Sequence, residues 1–168
     1  MSSPRMPALF LGHGSPMNVL EDNRYTRSWQ QLGQTLPWPE AILAISAHWY
    51  RQGTAVTAVA QPRTVHDFGG FPQALFDQRY LAPGSPALAQ RGQSLLAPVP
   101  VQADIDEWEP HPLIAYQQHQ DAALANPSPE HFLPLLYVLG SRIGDEPVSV
   151  PVDGITLGYI SMLSVQVG

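Results

Sequence analysis

Cysteine and lysine are both absent from this sequence of 168 residues. Without cysteine the chain cannot form disulfides, iron–sulfur clusters, cysteine-ligated zinc sites or a thiol nucleophile. Without lysine it cannot form a Walker-type phosphate loop, which needs that side chain. Any metal ion must therefore be held by histidine, aspartate or glutamate.

Charge and long apolar runs are also scarce. Charged residues make up 13% of the chain, with 14 acids against 8 bases, whereas an ordinary domain has about 25%. No basic cluster could follow a phosphate backbone, so we expect no nucleic-acid partner. No apolar run reaches the roughly 18 residues that span a bilayer, so we expect no membrane partner and a cytoplasmic location. The low charge is typical of a partly covered surface, which makes a homo-oligomer a candidate assembly.

The length predicts one domain over residues 1–168, because a single hydrophobic core serves a chain of this size. Ala8–Leu11 and residues 41–46 are apolar on both faces, which is typical of buried parallel strands. Residues 25–36 between them have helical spacing, so the three segments predict a βαβ unit. Further strands are predicted at 54–59, 99–103, 148–152, 155–157 and 162–167, and further helices at 86–96, 113–124 and 130–139. The alternation predicts an α/β fold with a mainly parallel or mixed sheet flanked by helices.

Two histidines directly follow the first two predicted strands. His13 lies in Gly-His-Gly-Ser-Pro, and His48 lies in Ser-Ala-His-Trp. Ligands of open α/β sheets bind at the carboxyl ends of strands, so the two imidazoles are expected to converge on a metal or a substrate. The alternative is that each is a hydrogen-bonded loop histidine without a ligand.

The other histidines leave more than one interpretation open. His111 lies between two prolines ahead of a predicted helix, where it is either a third metal ligand or an exposed loop residue. His66 begins His-Asp-Phe-Gly-Gly-Phe-Pro, which has the composition of a lid over a flat substrate but also of a plain glycine-rich turn. His131 lies in the first turn of a predicted helix and suits either a supporting role at a metal or a helix start. His119 is assigned to solvent. A site built from neutral imidazoles suits Zn²⁺ or Fe²⁺.

Several motifs together carry a family resemblance. They are GHGSPMN at 12–18, SAHW at 46–49, HDFGGFP at 66–72, LAPGSP at 81–86, HPL at 111–113, PEHFLPLL at 129–136 and SMLS at 161–164. With them the chain closely resembles the class III extradiol ring-cleavage dioxygenases, in particular the 4,5-DOPA extradiol dioxygenase-like subgroup. The resemblance implies an α/β sandwich that opens the ring of small catechols such as L-DOPA with O₂.

The same resemblance implies roles for individual residues. It makes His13, His48 and His111 ligands of a divalent metal ion, Zn²⁺ or Fe²⁺. It places His66, Asp67 and Phe68 in the substrate pocket, where His66 is the candidate for a catalytic base.

The chain is shorter than members of this family by about a third of a domain. The resemblance implies an internal deletion with its junction near 108–109, because an Asp-His-Gly segment with the acid/base histidine and an Asn-Val-Val-His-Asn segment have no counterpart. Two interpretations follow: a metal-dependent extradiol dioxygenase, or a catalytically inactive truncated remnant that acts at most as a metal-binding or assembly module. The missing histidines favour the remnant where activity is concerned.

Overall fold

A computed structural model of the chain describes residues 5–49, 53–66, 68–104, 131–157 and 160–168. Its elements in chain order are β1 (Ala8–Leu11), α1 (Arg24–Thr35), β2 (Thr54–Thr57), α2 (Gln73–Phe76), α3 (Pro86–Leu96), β3 (Val101–Asp104), α4 (Leu133–Gly140), β4 (Val148–Val152), β5 (Ile155–Thr156), β6 (Ile160–Ser161) and β7 (Ser164–Val167). The mixture of helices and strands confirms the predicted α/β class. The chain divides into two compact units, of which the first comprises Met1–Ala47 and Tyr116–Gly168 and the second comprises His48–Ala115.

The sheet of the first unit has the strand order β1-β7-β4, and both pairings are antiparallel. Ala8 lies opposite Val167 and Leu11 lies opposite Ser164. Because β7 has a neighbour on each side, three of its four residues are buried. The predicted carboxyl-terminal strand is therefore confirmed and pairs with the amino-terminal one.

Met162 is the centre of the core of the first unit. Its side chain is 0% exposed and packs with Tyr25 of α1 and Val152 of β4. Helix α1 begins at a capping box, in which the side chain of Asn23 accepts from the helix and Thr26 accepts from the backbone of Asn23. The predicted helix at 25–36 is thereby confirmed.

Helix α4 packs against β1 and β7 of the same unit. It begins later than the predicted range of 130–139, because Pro134 occupies its first turn. Proline has no backbone N–H, but the first turn of a helix offers no helical acceptor for that group, so no hydrogen bond is lost at this position. The short strands β5 and β6 form a separate antiparallel pair.

The second unit contains a parallel pair, in which Thr54 of β2 lies opposite Val101 of β3. Helices α2 and α3 connect the two strands. Helix α3 begins as predicted, with the Ser85 hydroxyl accepting from the N–H of Leu88 and with Pro86 at the first helical positions. The βαβ unit of the described chain therefore lies here.

The predicted strand at residues 41–46 is wrong. This segment has no strand assignment, and all six of its residues are exposed; Ile42 is 72% exposed and Leu43 is 75% exposed. A strand requires a hydrogen-bonded neighbour, and β1, which was expected to share a parallel sheet with this segment, pairs with β7 instead. The predicted βαβ unit over residues 8–46 is therefore not formed.

Some predictions lie outside the described residues. These are the helix at 113–124, the deletion junction near 108–109 and the structural surroundings of His111, His119 and Asp67. The single domain over 1–168 stays a prediction. Among the described residues, no helix has both the length and the apolar character needed to cross a membrane.

Candidate metal site

The loop that carries His13 is held tightly against the end of the chain. The N–H of Gly12 donates to the carbonyl of Leu163 over 2.9 Å. A Cβ atom on Gly12 would lie 2.5 Å from that same carbonyl oxygen, so only glycine fits. Gly14 has a φ of +61°, in the left-handed region that favours glycine. The two glycines therefore set the backbone path on both sides of His13.

The imidazole of His13 has one nitrogen already engaged. Nδ1 lies 2.9 Å from the carbonyl oxygen of Gly14. A carbonyl oxygen can only accept, so Nδ1 carries the proton and donates it. Nε2 then presents its lone pair, which is the arrangement found in histidines that bind metals through one nitrogen and donate to the backbone through the other.

His131 lies beside His13 in the first unit. The two ring centroids are 5.4 Å apart, with the planes at 47°, and one nitrogen of each ring lies within 4.8 Å of the other. His131 stands two residues ahead of α4, and the packing of α4 on β1 brings it to the end of β1 that carries His13. The sequence left its role open between helix start and metal support; the signal that pointed to it was the Pro-Glu-His motif ahead of an apolar helix.

His48 is the first residue of the second unit and is bonded directly to Ala47, the last residue of the preceding segment of the first unit. It is exposed and lies in a turn rather than at the end of a strand. Its role as a metal ligand stays a prediction, whereas His13 and His131 of the first unit are two histidines that could contribute to a metal site.

The chemistry of the two neighbouring histidines fits a divalent transition metal. The imidazoles of His13 and His131 are nitrogen ligands, which suit Zn²⁺ and Fe²⁺. A metal ion with three protein ligands or fewer also has coordination positions open, as catalytic metal sites require. The predicted ligand His111 lies outside the described residues, so its role stays a prediction.

His66 lies in an aromatic cluster of the second unit. Its ring centroid is 5.6 Å from that of Phe68 and 6.0 Å from that of Phe76. Phe68 in turn contacts Phe71 edge-on at 5.5 Å. Nε2 of His66 donates to the carbonyl of Gln78 over 3.2 Å, so Nδ1 is the ring nitrogen that presents a lone pair.

A second contact closes the segment that contains this cluster. The hydroxyl of Thr64 accepts from the N–H of Tyr80 over 3.0 Å. Together with the bond from His66 to Gln78, it ties residues 64–66 to residues 78–80. The described residues between these two contacts, which include α2, are therefore held at both ends.

No family model matches the chain. It is 43% identical to 4,5-DOPA dioxygenase extradiol of Escherichia coli (strain K12), in an alignment that covers 100% of this chain and 97% of that protein. It is 42% identical to 4,5-DOPA dioxygenase extradiol of Beta vulgaris, over 52% of this chain and 34% of that protein. The crystal structure of an uncharacterized protein from Escherichia coli K12 is also similar, with a TM-score of 0.77 and 38% identity over 98% of this chain and 100% of that chain.

The chain therefore belongs to the extradiol dioxygenase family. Its alignment with the Escherichia coli relative is 262 residues long, whereas the chain itself has 168 residues, all of them aligned. The relative thus contains residues that have no counterpart here.

Proposed function

We propose that this chain binds a divalent metal ion, Zn²⁺ or Fe²⁺, and uses it to open the ring of small catechols such as L-DOPA with O₂. The observation that carries the proposal is the approach of His13 and His131, whose ring nitrogens lie within 4.8 Å, in a chain of the extradiol dioxygenase family. The partners of the reaction are a small aromatic diol and O₂.

The proposed ligands are His13, His48 and His131. The first two follow from the sequence motifs, and His131 is supported by its distance to His13. His111, the ligand implied by the family resemblance, is the competing third ligand. The Nδ1–H of His13 is held by the Gly14 carbonyl, so Nε2 is the atom proposed to face the metal.

A bound divalent metal would lower the pKa of a coordinated phenol and bring the diol and O₂ together. The residues of this chain would supply the remaining functions. An open, mostly apolar groove beside α4, lined by Leu133, Leu136, Tyr137, Gly140 and Ser141, is the proposed site of the aromatic ring. His66 is the proposed proton acceptor through Nδ1, with Asp67 and Phe68 as proposed substrate-pocket residues.

A second candidate is a catalytically inactive remnant that acts as a metal-binding or assembly module. The length of the alignment with the Escherichia coli relative favours it, because this chain lacks part of that protein. The sequence also has no Asp-His-Gly segment, which the resemblance identifies as the source of the acid/base histidine. A general base contributes about 10²–10⁴-fold to rate.

One experiment separates the two candidates. The chain is loaded with Fe²⁺ under anaerobic conditions and given L-DOPA and O₂, and the ring-opened product is followed by mass. The Escherichia coli relative is the positive control, and metal without protein is the background. Product that disappears in His13→Ala supports the dioxygenase, and its loss in His66→Ala assigns the base. Metal uptake without product above background supports the remnant.

The identity of the third ligand is tested by zinc uptake at pH 7. His131→Ala is expected to abolish stoichiometric uptake, as is His13→Ala, whereas His111→Ala and His119→Ala are expected to retain it. Loss in His111→Ala with retention in His131→Ala would restore the ligand set implied by the resemblance. Equal losses in all four variants would indicate non-specific binding.

A further inference from the structure

We propose that Asn18 and Asn23 are positioning residues for His13, acting as a relay of two side-chain amides between the start of α1 and the histidine loop. This inference rests on the proposed metal site, because it concerns the orientation of one of its ligands. The relay lies wholly within the first unit, and both asparagines are partly buried.

Two hydrogen bonds form the relay. The Nδ2 group of Asn18 donates to the backbone carbonyl of His13 over 2.9 Å. The Nδ2 group of Asn23 donates to Oδ1 of Asn18, also over 2.9 Å. The carbonyl of the candidate ligand is thereby connected to the capping residue of a twelve-residue helix.

The direction of both bonds is fixed by the helix cap. Oδ1 of Asn23 accepts from the N–H groups of Tyr25 and Thr26, over 2.9 and 3.1 Å. Its Nδ2 group must therefore face Asn18, which receives the bond on Oδ1. The remaining group of Asn18 is then its Nδ2 donor, and a donor is what the carbonyl of His13 requires.

The loop needs such a restraint because its own backbone is permissive. His13 stands between two glycines, the second with a φ of +61°, and glycine restricts the chain less than any other residue. The bond from Gly12 to Leu163 fixes the loop ahead of His13. The bond from Asn18 fixes it on the other side, next to the Gly14 carbonyl that holds Nδ1 of the ring. The relay thus determines where Nε2 points.

The test compares two changes at the same helix start. Asn23→Asp keeps the cap, because aspartate caps as well as asparagine, but it removes the donor to Asn18. The amide of Asn18 is then expected to turn, presenting oxygen to the His13 carbonyl and breaking that bond. The change is made in a Glu21→Gln background, because Glu21 also accepts from Asn23 and a like-charge pair would otherwise arise. Thr26→Ala is the matched control, since it weakens the capping box and leaves both relay bonds in place.

The first readout is the NMR signal of the His13 ring in the metal-free protein. Asn23→Asp is expected to shift or broaden this signal while the unfolding temperature changes little. Thr26→Ala is expected to lower the unfolding temperature and leave the ring signal in place. Asn18→Ala, which removes the donor directly, is expected to reproduce the ring signal of Asn23→Asp. A wild-type ring signal in Asn23→Asp and Asn18→Ala would overturn the proposal, as would equal shifts in Thr26→Ala.

The second readout is Co²⁺ affinity, followed through the visible absorption of the bound ion. Asn23→Asp is expected to weaken binding about tenfold, within the range for groups that orient metal ligands, and Thr26→Ala is expected to match the parent chain. Unchanged affinity in Asn23→Asp would contradict the relay. If the unmodified chain takes up no Co²⁺, the proposed metal site is wrong. The NMR signals of the His13 ring then still show whether Asn18 and Asn23 position this ring.

Discussion

Strand β1 and residues 41–46 are both short apolar runs, and each is followed within two residues by a histidine. Yet β1 pairs with β7 and is mostly half-buried, whereas residues 41–46 form no strand and are exposed throughout. The difference shows that an apolar run favours an extended conformation, but that a hydrogen-bonded neighbour is needed to make it a strand.

The same contrast extends to the two histidines. His13 follows the paired strand, and its loop is held by bonds from Gly12 and Asn18. His48 follows the exposed run and lies in a turn at the start of the second unit. Of the two predicted ligands, His13 is therefore the one whose loop is held in place by the packing of the first unit.

Replacing Met162 in the core of the first unit is expected to have a large effect on the free energy of unfolding. Met162→Ala should lower the free energy of unfolding by about 2–5 kcal/mol, because a fully buried side chain leaves a cavity. Leu43→Ala, in the exposed run, should change it by no more than about 0.5 kcal/mol. Denaturant unfolding measures both. A comparable loss in Leu43→Ala would show that residues 41–46 are packed after all.

A smaller effect is expected at the glycine that brings the His13 loop against Leu163. Gly12→Ala should destabilise the first unit by about 1–3 kcal/mol, because its Cβ would lie 2.5 Å from the carbonyl oxygen of Leu163. Gly33→Ala is the matched control, since nothing lies within 4 Å of its Cβ position in α1. That change should raise stability by about 0.5–1 kcal/mol. Thermal unfolding of the two variants should therefore move in opposite directions.

Self-association of the chain is expected to depend on the exposed apolar residues 41–46. Exposed apolar segments recruit neighbours, so size-exclusion chromatography of the unmodified chain should show oligomers or aggregates. Leu43→Lys should shift the elution towards the monomer, whereas Leu11→Lys, on a strand that is already paired, should not. A monodisperse monomer before any substitution would contradict this expectation.

The smallest effect concerns pH. The N–H of Ile143, and then the Arg5 guanidinium, hold the pKa of Glu146 below its ordinary value. A carboxyl with a lowered folded-state pKa adds stability above its unfolded pKa of about 4.5 and loses it as pH falls through the folded value. With Glu146→Gln, the unfolding temperature should therefore fall slightly less steeply as the pH is lowered below about 4.5. An unchanged decline below pH 4.5 would show that this half-buried carboxyl contributes nothing measurable to stability.

Local signals predicted those elements whose ends are encoded by neighbouring residues. Ser85 and Pro86 specified the start of α3, and the run Ala8–Leu11 specified β1. Contacts between distant segments were harder to predict. The antiparallel pairing of β1 with β7 depends on residues more than 150 positions apart, and it replaces the predicted parallel sheet of β1 with residues 41–46.

The same distinction between local signals and long-range contacts applies to the residues of the candidate site. His13 was predicted as a ligand from its local motif, and Gly12 beside it lies closely against the backbone of Leu163. The proximity of His131 depends on how α4 packs on β1, which the sequence around His131 does not encode by itself.

Anomalous diffraction from zinc-loaded crystals would show whether His13 and His131 hold one metal ion, as we propose. A single zinc peak is expected about 2.0–2.1 Å from Nε2 of His13 and from one ring nitrogen of His131. Zinc bound through Nδ1 of His13, or zinc bound by His111 with His131 turned away, would contradict it.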